Sequence, residues 1–180
     1  MMKKSVLFLF LLATLAGACK KKEIAEPEPE FVPTDVLVKT NPDFTVEQLF
    51  AFINDVALEV EYAYSMPYVS SFPADSLDHV LSTLREKPYL DGGSGYVHAI
   101  TGELMVFPRF IDIVNTQNQT DWLSTKADLK LSEDTDNATA GYVIFFHVPE
   151  GKEKTWVKRF QQYPFVEWAT LNHILQIELF

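Results

Sequence analysis

The chain has 180 residues, with 15 lysines and arginines against 25 aspartates and glutamates, giving a formal charge of −10. That acidity repels phosphate backbones and argues against nucleic acid as a partner. A single cysteine, Cys19, leaves no internal disulfide, so the fold must rest on its apolar core.

Lys3 and Lys4 precede an unbroken apolar run from Val6 to Leu12, then small residues ending in Ala16, Gly17 and Ala18. This is the pattern of a secretory signal over residues 1–18, and its apolar run is shorter than the roughly 20 residues that span a bilayer. Cys19 follows directly. The stretch resembles bacterial lipoprotein signals, with one extra alanine in the usual Leu-Ala-Gly-Cys pattern. The resemblance implies lipidation of Cys19 and a protein anchored to a bacterial membrane in the cell envelope, at the outer membrane or cell surface. Lys20, Lys21 and Lys22 either lie against anionic headgroups or begin a solvated linker. Residues 19–34 include EIAEPEPEFVP, where acid alternates with proline. Such a segment prefers extended polyproline geometry and serves as a tether.

From residue 35 the apolar pattern predicts regular elements. VLVK (36–39) reads as a strand, and TVEQLFAFINDVAL as a helix with Thr45 as its cap and Val46, Leu49, Phe50, Ile53, Val56 and Ala57 on one face. ALEVEYAY alternates as a half-buried strand, and YVSSF is a short one. Pro73 opens a second helix carrying Val80, Leu81 and Leu84, and Pro88 closes it. DGGSG (91–95) lacks the Lys-Ser/Thr of a phosphate loop and reads as a connector. A hairpin turn falls at Thr101-Gly102, and the strand after it is either ELMVF or FIDIV. A helix around Trp122 and Leu123, the polar loop SEDTDNATAG and the strand GYVIFFHV follow. Pro149 and Pro164 then bracket a last helix bearing Trp156, Val157 and Phe160.

The two halves share their punctuation. Pro73 and Pro88 are spaced like Pro149 and Pro164, 76 residues on, and the apolar stripes between them fall into register. Further back, Leu49 and Phe50 align with Trp122 and Leu123 at an offset of 73, and the polar loop absorbs the difference. Each half then reads β-α-β-β-α-β. The expected fold is α+β, with two tandem ferredoxin-like sandwiches over residues 35–101 and 102–180, each with an antiparallel sheet.

Chemistry-bearing motifs are sparse. No G-x-S-x-G appears, and His79, His98, His147 and His173 share no short metal spacing. EDTDN (133–137) begins like a calcium loop and fails at Ala138 and Thr139. No catalytic residue, metal or cofactor is therefore expected, and the chain is read as a non-enzyme.

In YVIFFHVPEGKEKTWVKRFQQYPFVEWATLN, the residues Val148, Pro149, Glu150, Gly151, Pro164, Val166, Glu167, Trp168, Ala169 and Asn172 resemble the back half of subtilisin-type protease prodomains. The earlier DVLVK and FTVEQLFAFI are similar to the front half. The resemblance implies a protein-binding role: such prodomains, and the free-standing inhibitors like them, pack their sheet on helices of the protease and lay their C-terminal tail in its cleft. Leu175, Ile177 and Leu179 alternate with polar residues, as in a last strand. The other reading makes Ile177, Leu179 and Phe180 an extended tail that a partner binds. The expected function is an exported, lipid-anchored inhibitor or folding partner of a subtilisin-like protease. The alternative is a structural or adhesive envelope lipoprotein.

Overall fold

A computed structural model describes residues 30–65, 67–135 and 140–174, so Cys19, Ile177, Leu179 and Phe180 lie outside the described residues. The elements run β1 (Phe31–Thr40), α1 (Val46–Val56), β2 (Glu59–Ser65), β3 (Tyr68–Ser70), α2 (Leu77–Arg85), β4 (Leu90–Val97), β5 (Leu104–Phe110), α3 (Thr116–Asp128), β6 (Leu131–Glu133), β7 (Tyr142–His147), α4 (Glu153–Phe160) and β8 (Val166–His173). A 3-10 turn, Ala74–Ser76, leads into α2.

Local chemistry explains most boundaries. Thr45 and Gln48 form a reciprocal capping box on α1, and the helix ends at Ala57 in the left-handed region, φ 53°. Lys130, 73 residues on, repeats that backbone with φ 51°. The helices after Pro73 and Pro149 start at Leu77 and Glu153, and the strands beyond them start at Leu90 and Val166, so both pairs keep the spacing of 76. The hairpin turns where expected, with Gly102 at φ 73° and its N–H donating to the His98 carbonyl; the strand after it is the ELMVF segment. β1 starts at Phe31, inside the segment read as tether. Pro33 falls where the β1–β8 register breaks, between Phe31 and Val36, so its missing N–H interrupts no regular pair.

Among the described residues the fold is α+β, with an eight-stranded antiparallel sheet and four α-helices. Its strand order is β6-β3-β5-β2-β7-β1-β8, with β4 also paired to β5. The strands of residues 35–101 and 102–180 are interleaved in this one sheet. β1 lies between β7 and β8, with Val38 opposite both Ile144 and Ala169. β5 lies against β2, β3 and β4. β2 and β3, which adjoin in a ferredoxin-like unit, do not pair with each other: Ser65 faces Tyr142 on β7 and Tyr68 faces Glu133 on β6. The reason is local. A two-residue reversal calls for residues such as Asn-Gly, and Met66-Pro67 offers neither.

Inward residues of the strands, among them Val36, Val38, Ile144, Phe146 and Phe110, join Leu49, Ile53, Leu84, Trp122 and Phe160 from the four helices in one continuous core. Phe52 of α1 makes edge contacts with Phe146 of β7 and Phe160 of α4, at 5.8 and 6.0 Å. Trp122 of α3 stands edge-on to Tyr68 of β3 at 5.5 Å. The core therefore ties each half of the sequence to the other. A buried polar chain crosses it as well: Tyr68 and Tyr142 share a 2.8 Å hydrogen bond, and Tyr142 donates to Glu133. Glu133 also accepts from the Val46 N–H and from Lys126. Burial, first, and the Glu133 charge push both phenols well above the usual tyrosine range.

Glu153 is the other buried tie. Its Oε1 accepts from the Thr34 and Gly151 amides, each at 3.0 Å, and so fastens α4 to the irregular start of β1. These backbone bonds, that of Thr34 first, hold the carboxyl below the usual glutamate range. A depressed carboxylate pKa adds stability that is present above the unfolded value and lost as pH falls through the folded one. Glu153→Gln is therefore expected to lower stability by about 1 kcal/mol at pH 7. The deficit should begin to shrink as pH falls below the ordinary glutamate range, as urea melts of both proteins at pH 7 and pH 3 will show.

Candidate interaction face

The four helices cover one face of the sheet, and the side chains that alternate outward form the other. On an antiparallel sheet with one solvated face these positions are normally polar. Here they are largely apolar, and the pairings place them in rows across the strands. One row runs Trp168 (β8), Lys39 (β1), Val143 (β7), Tyr64 (β2) and Arg109 (β5). The next runs Thr170, Leu37, Phe145 and Tyr62. Strands lie about 4.8 Å apart, so the first row extends for about 19 Å. Tyr64 is 41% exposed and Trp168 38%, at the two sides of the half-buried Val143 and Phe145.

The centre of this face is an aromatic stack. Tyr62 and Phe145 lie ring on ring at 4.0 Å, and Tyr64 stands edge-on to Tyr62 at 5.1 Å. The Arg109 guanidinium sits over both tyrosines, 4.2 Å from the Tyr62 ring centre and 5.1 Å from that of Tyr64. Asp91 fixes it from β4 through a 2.7 Å ion pair. Arg109 Nε is buried and has no acceptor among the described residues. Burial, first, and then the Tyr64 and Glu61 charges push the Tyr62 phenol up. Beside the stack, Tyr64, Gly93, Phe107, Arg109 and Phe145 line a shallow depression of about 710 Å³.

A polar cluster bounds the face at one end. Asp35, 7% exposed, meets His147 Nδ1 at 3.1 Å and accepts from Asn172 at 2.9 Å, while His147 Nε2 lies 3.8 Å from Glu61. These groups lie on β1, β7, β8 and β2. No hydroxyl or thiol completes a nucleophilic arrangement there among the described contacts. Among the described residues no group of three His, Cys, Asp or Glu could hold a metal ion, and no helix is long and apolar enough to cross a membrane.

The residues singled out from sequence fall in different places. Cys19, Ile177, Leu179 and Phe180 lie outside the described residues, as do Asp136 and Asn137 of the calcium-like loop. Glu133 of that loop is occupied in the core, as described. His98 bonds Thr101 within the β4–β5 turn, and His173 ends β8. Trp122 is fully buried and Trp156 packs against the core, as the helical stripes imply. The outward aromatic rows were not singled out from sequence. Their signal was the run YVIFF in β7: five apolar residues in succession mark a strand apolar on both faces.

No family model matches the chain, and neither the curated proteins nor the solved structures contain a match to it.

Proposed function

We propose that the chain is an exported, lipid-anchored protein-binding module that presents the helix-free face of its sheet to a partner. The partner in this reading is a subtilisin-like protease, which the chain inhibits or helps to fold. The single observation that carries the binding role is the pair of aromatic and aliphatic rows on a sheet face that no described helix covers. Central strands apolar on both faces call for cover on both sides, and the helices supply it on one. Two packed helices of a partner would supply the other. The protease enters through the resemblance in Val148–Gly151 and Pro164–Ala169, and the export reading through residues 1–19.

The finer fold reading belongs to the same proposal. β1, α1, β2, β7, α4 and β8 stand in the order β8-β1-β7-β2, and β5, α3, β6, β3, α2 and β4 in the order β4-β5-β3-β6. Each is the strand order of a ferredoxin-like unit. On this reading the chain holds two such units whose second β-α-β halves have been exchanged.

The test is direct. Purified protein added to subtilisin-like proteases should slow their hydrolysis of a chromogenic peptide, and removal of Ile177–Phe180 should weaken that effect. Degradation of the chain without any slowing would sink the protease reading. Separately, a labelled lipid precursor should mark the chain in exporting bacteria and leave Cys19→Ala unmarked.

A further inference from the structure

We infer that the edge of the domain formed by α4 and β8 is a docking surface for an anionic lipid bilayer. A groove of about 450 Å³ runs along this edge, with Phe31, Val157 and Leu171 giving it apolar walls and Lys154 and Lys158 its cationic ones. Val157 and Lys158 lie three and four residues after Lys154, and Gln161 lies four and three after them, so the four share one face of the chain at α4.

Charge selects the partner. In a chain of net charge −10, Lys152, Lys154, Lys158 and Arg159 fall within eight residues. Acids near them include Glu30, Glu150, Glu167 and Glu153, and Glu153 turns its carboxylate inward to two backbone amides. At the opposite edge of the sheet, around α2 and β4, Asp75, Asp78, Glu86 and Asp91 outnumber Arg85 and Lys87. The domain thus carries a charge gradient from one sheet edge to the other. An anionic surface attracts one end and repels the other.

The path of the chain selects the bilayer. Glu30, whose carbonyl accepts from the Ile174 N–H, is the last residue before the groove-lining Phe31. The preceding eleven residues, back to Cys19, span at most about 34 Å when extended at about 3.1 Å each. This inference rests on the reading of Cys19 as the lipid anchor. An anchor on that residue brings the chain onto the domain at the α4–β8 edge. Once the domain is confined there, each lysine near an anionic surface adds about fivefold to surface partitioning, enough to fix which way the domain faces.

The test uses residues 19–180 carrying Cys19→Ala; the described core runs from Val36 to Ala169 and is left whole. This chain is expected to float with phosphatidylglycerol vesicles at low salt and to stay behind with phosphatidylcholine vesicles. Lys154→Glu with Lys158→Glu should cut its partition coefficient at least tenfold with an unchanged circular dichroism spectrum. Replacing Lys20, Lys21 and Lys22 by glutamine should leave most of the binding. No flotation, equal flotation with neutral vesicles, or a loss that follows only the three N-terminal lysines would overturn the inference. Because the tested chain carries no lipid, its result is independent of the labelling of Cys19, so the two readings fail separately.

Discussion

Cut between Thr101 and Gly102, the chain should yield two fragments that do not fold alone and that assemble when mixed. The break lies in the exposed hairpin turn between β4 and β5, where Ile100 is 91% exposed, so the cut itself removes no core contact. What it separates is decisive. The first fragment keeps β1 and loses both of its neighbours, β7 and β8; the second keeps β7 and loses β1 and β2. Val36, Val38 and Ala63 in one piece, and Ile144, Phe146 and Ala169 in the other, would all open to water. Large core truncations cost about 2–5 kcal/mol each, so opening this many core positions at once outweighs the roughly 5–15 kcal/mol stability of an ordinary domain. Each fragment alone should give an unfolded amide spectrum, and the mixture a cooperative melt. Two tandem sandwiches would behave otherwise: each fragment would melt cooperatively by itself.

The same contrast shows what the sequence could express. Helix positions were legible because their signals are local: the Thr45 cap, the Pro73 and Pro149 starts, and apolar residues at spacings of three and four. Strand positions were legible from alternation. The partner of each strand was not. Exchanging β3 for β7 between two similar units leaves every local pattern intact, because each strand still has one face toward helices and an antiparallel neighbour on each side. The choice is made by connections. Met66-Pro67 lacks the Asn-Gly chemistry of a tight reversal, and β3 pairs with β5 and β6 where β2 pairs with β5 and β7.

The site was less legible than the fold for a related reason. A side chain on the outward face of a strand is indistinguishable in sequence from one on the inward face until the register is known. Phe145 and Phe146 are neighbours in the chain; one stacks on Tyr62 in the open, and the other lies in the core against Phe160. Glu61 adds an irregularity, since the β2–β7 register shifts between Val60 and Tyr62 and turns Tyr62 outward beside Phe145. Without that bulge, the alternation that buries Val60 would have buried Tyr62 as well. Arg109, an unremarkable basic residue in ELMVFPRF, becomes the centre of the face only once β5 is placed beside β2.

Replacing Tyr64 and Trp168 together by alanine is expected to weaken partner binding at least 100-fold while leaving the fold nearly unchanged. Both are exposed by more than a third, so their truncation opens no enclosed cavity and should lower stability by less than about 1 kcal/mol. As large, rigid aromatics on a partner-facing surface they are the residue types that dominate binding energy, with truncations of about 2 kcal/mol or more each where they are fully desolvated. Since about 1.4 kcal/mol is tenfold, two such losses exceed 100-fold. Arg109→Leu should add to the effect, because it removes the cation over the Tyr62 and Tyr64 rings and leaves Asp91 without its ion pair. The measurement is the inhibition constant of each variant against a subtilisin-like protease that the parent chain slows. If the Tyr64 and Trp168 substitutions leave that constant unchanged while deletion of Ile177–Phe180 abolishes inhibition, the tail alone engages the enzyme. The aromatic face would then have to be assigned to a different partner.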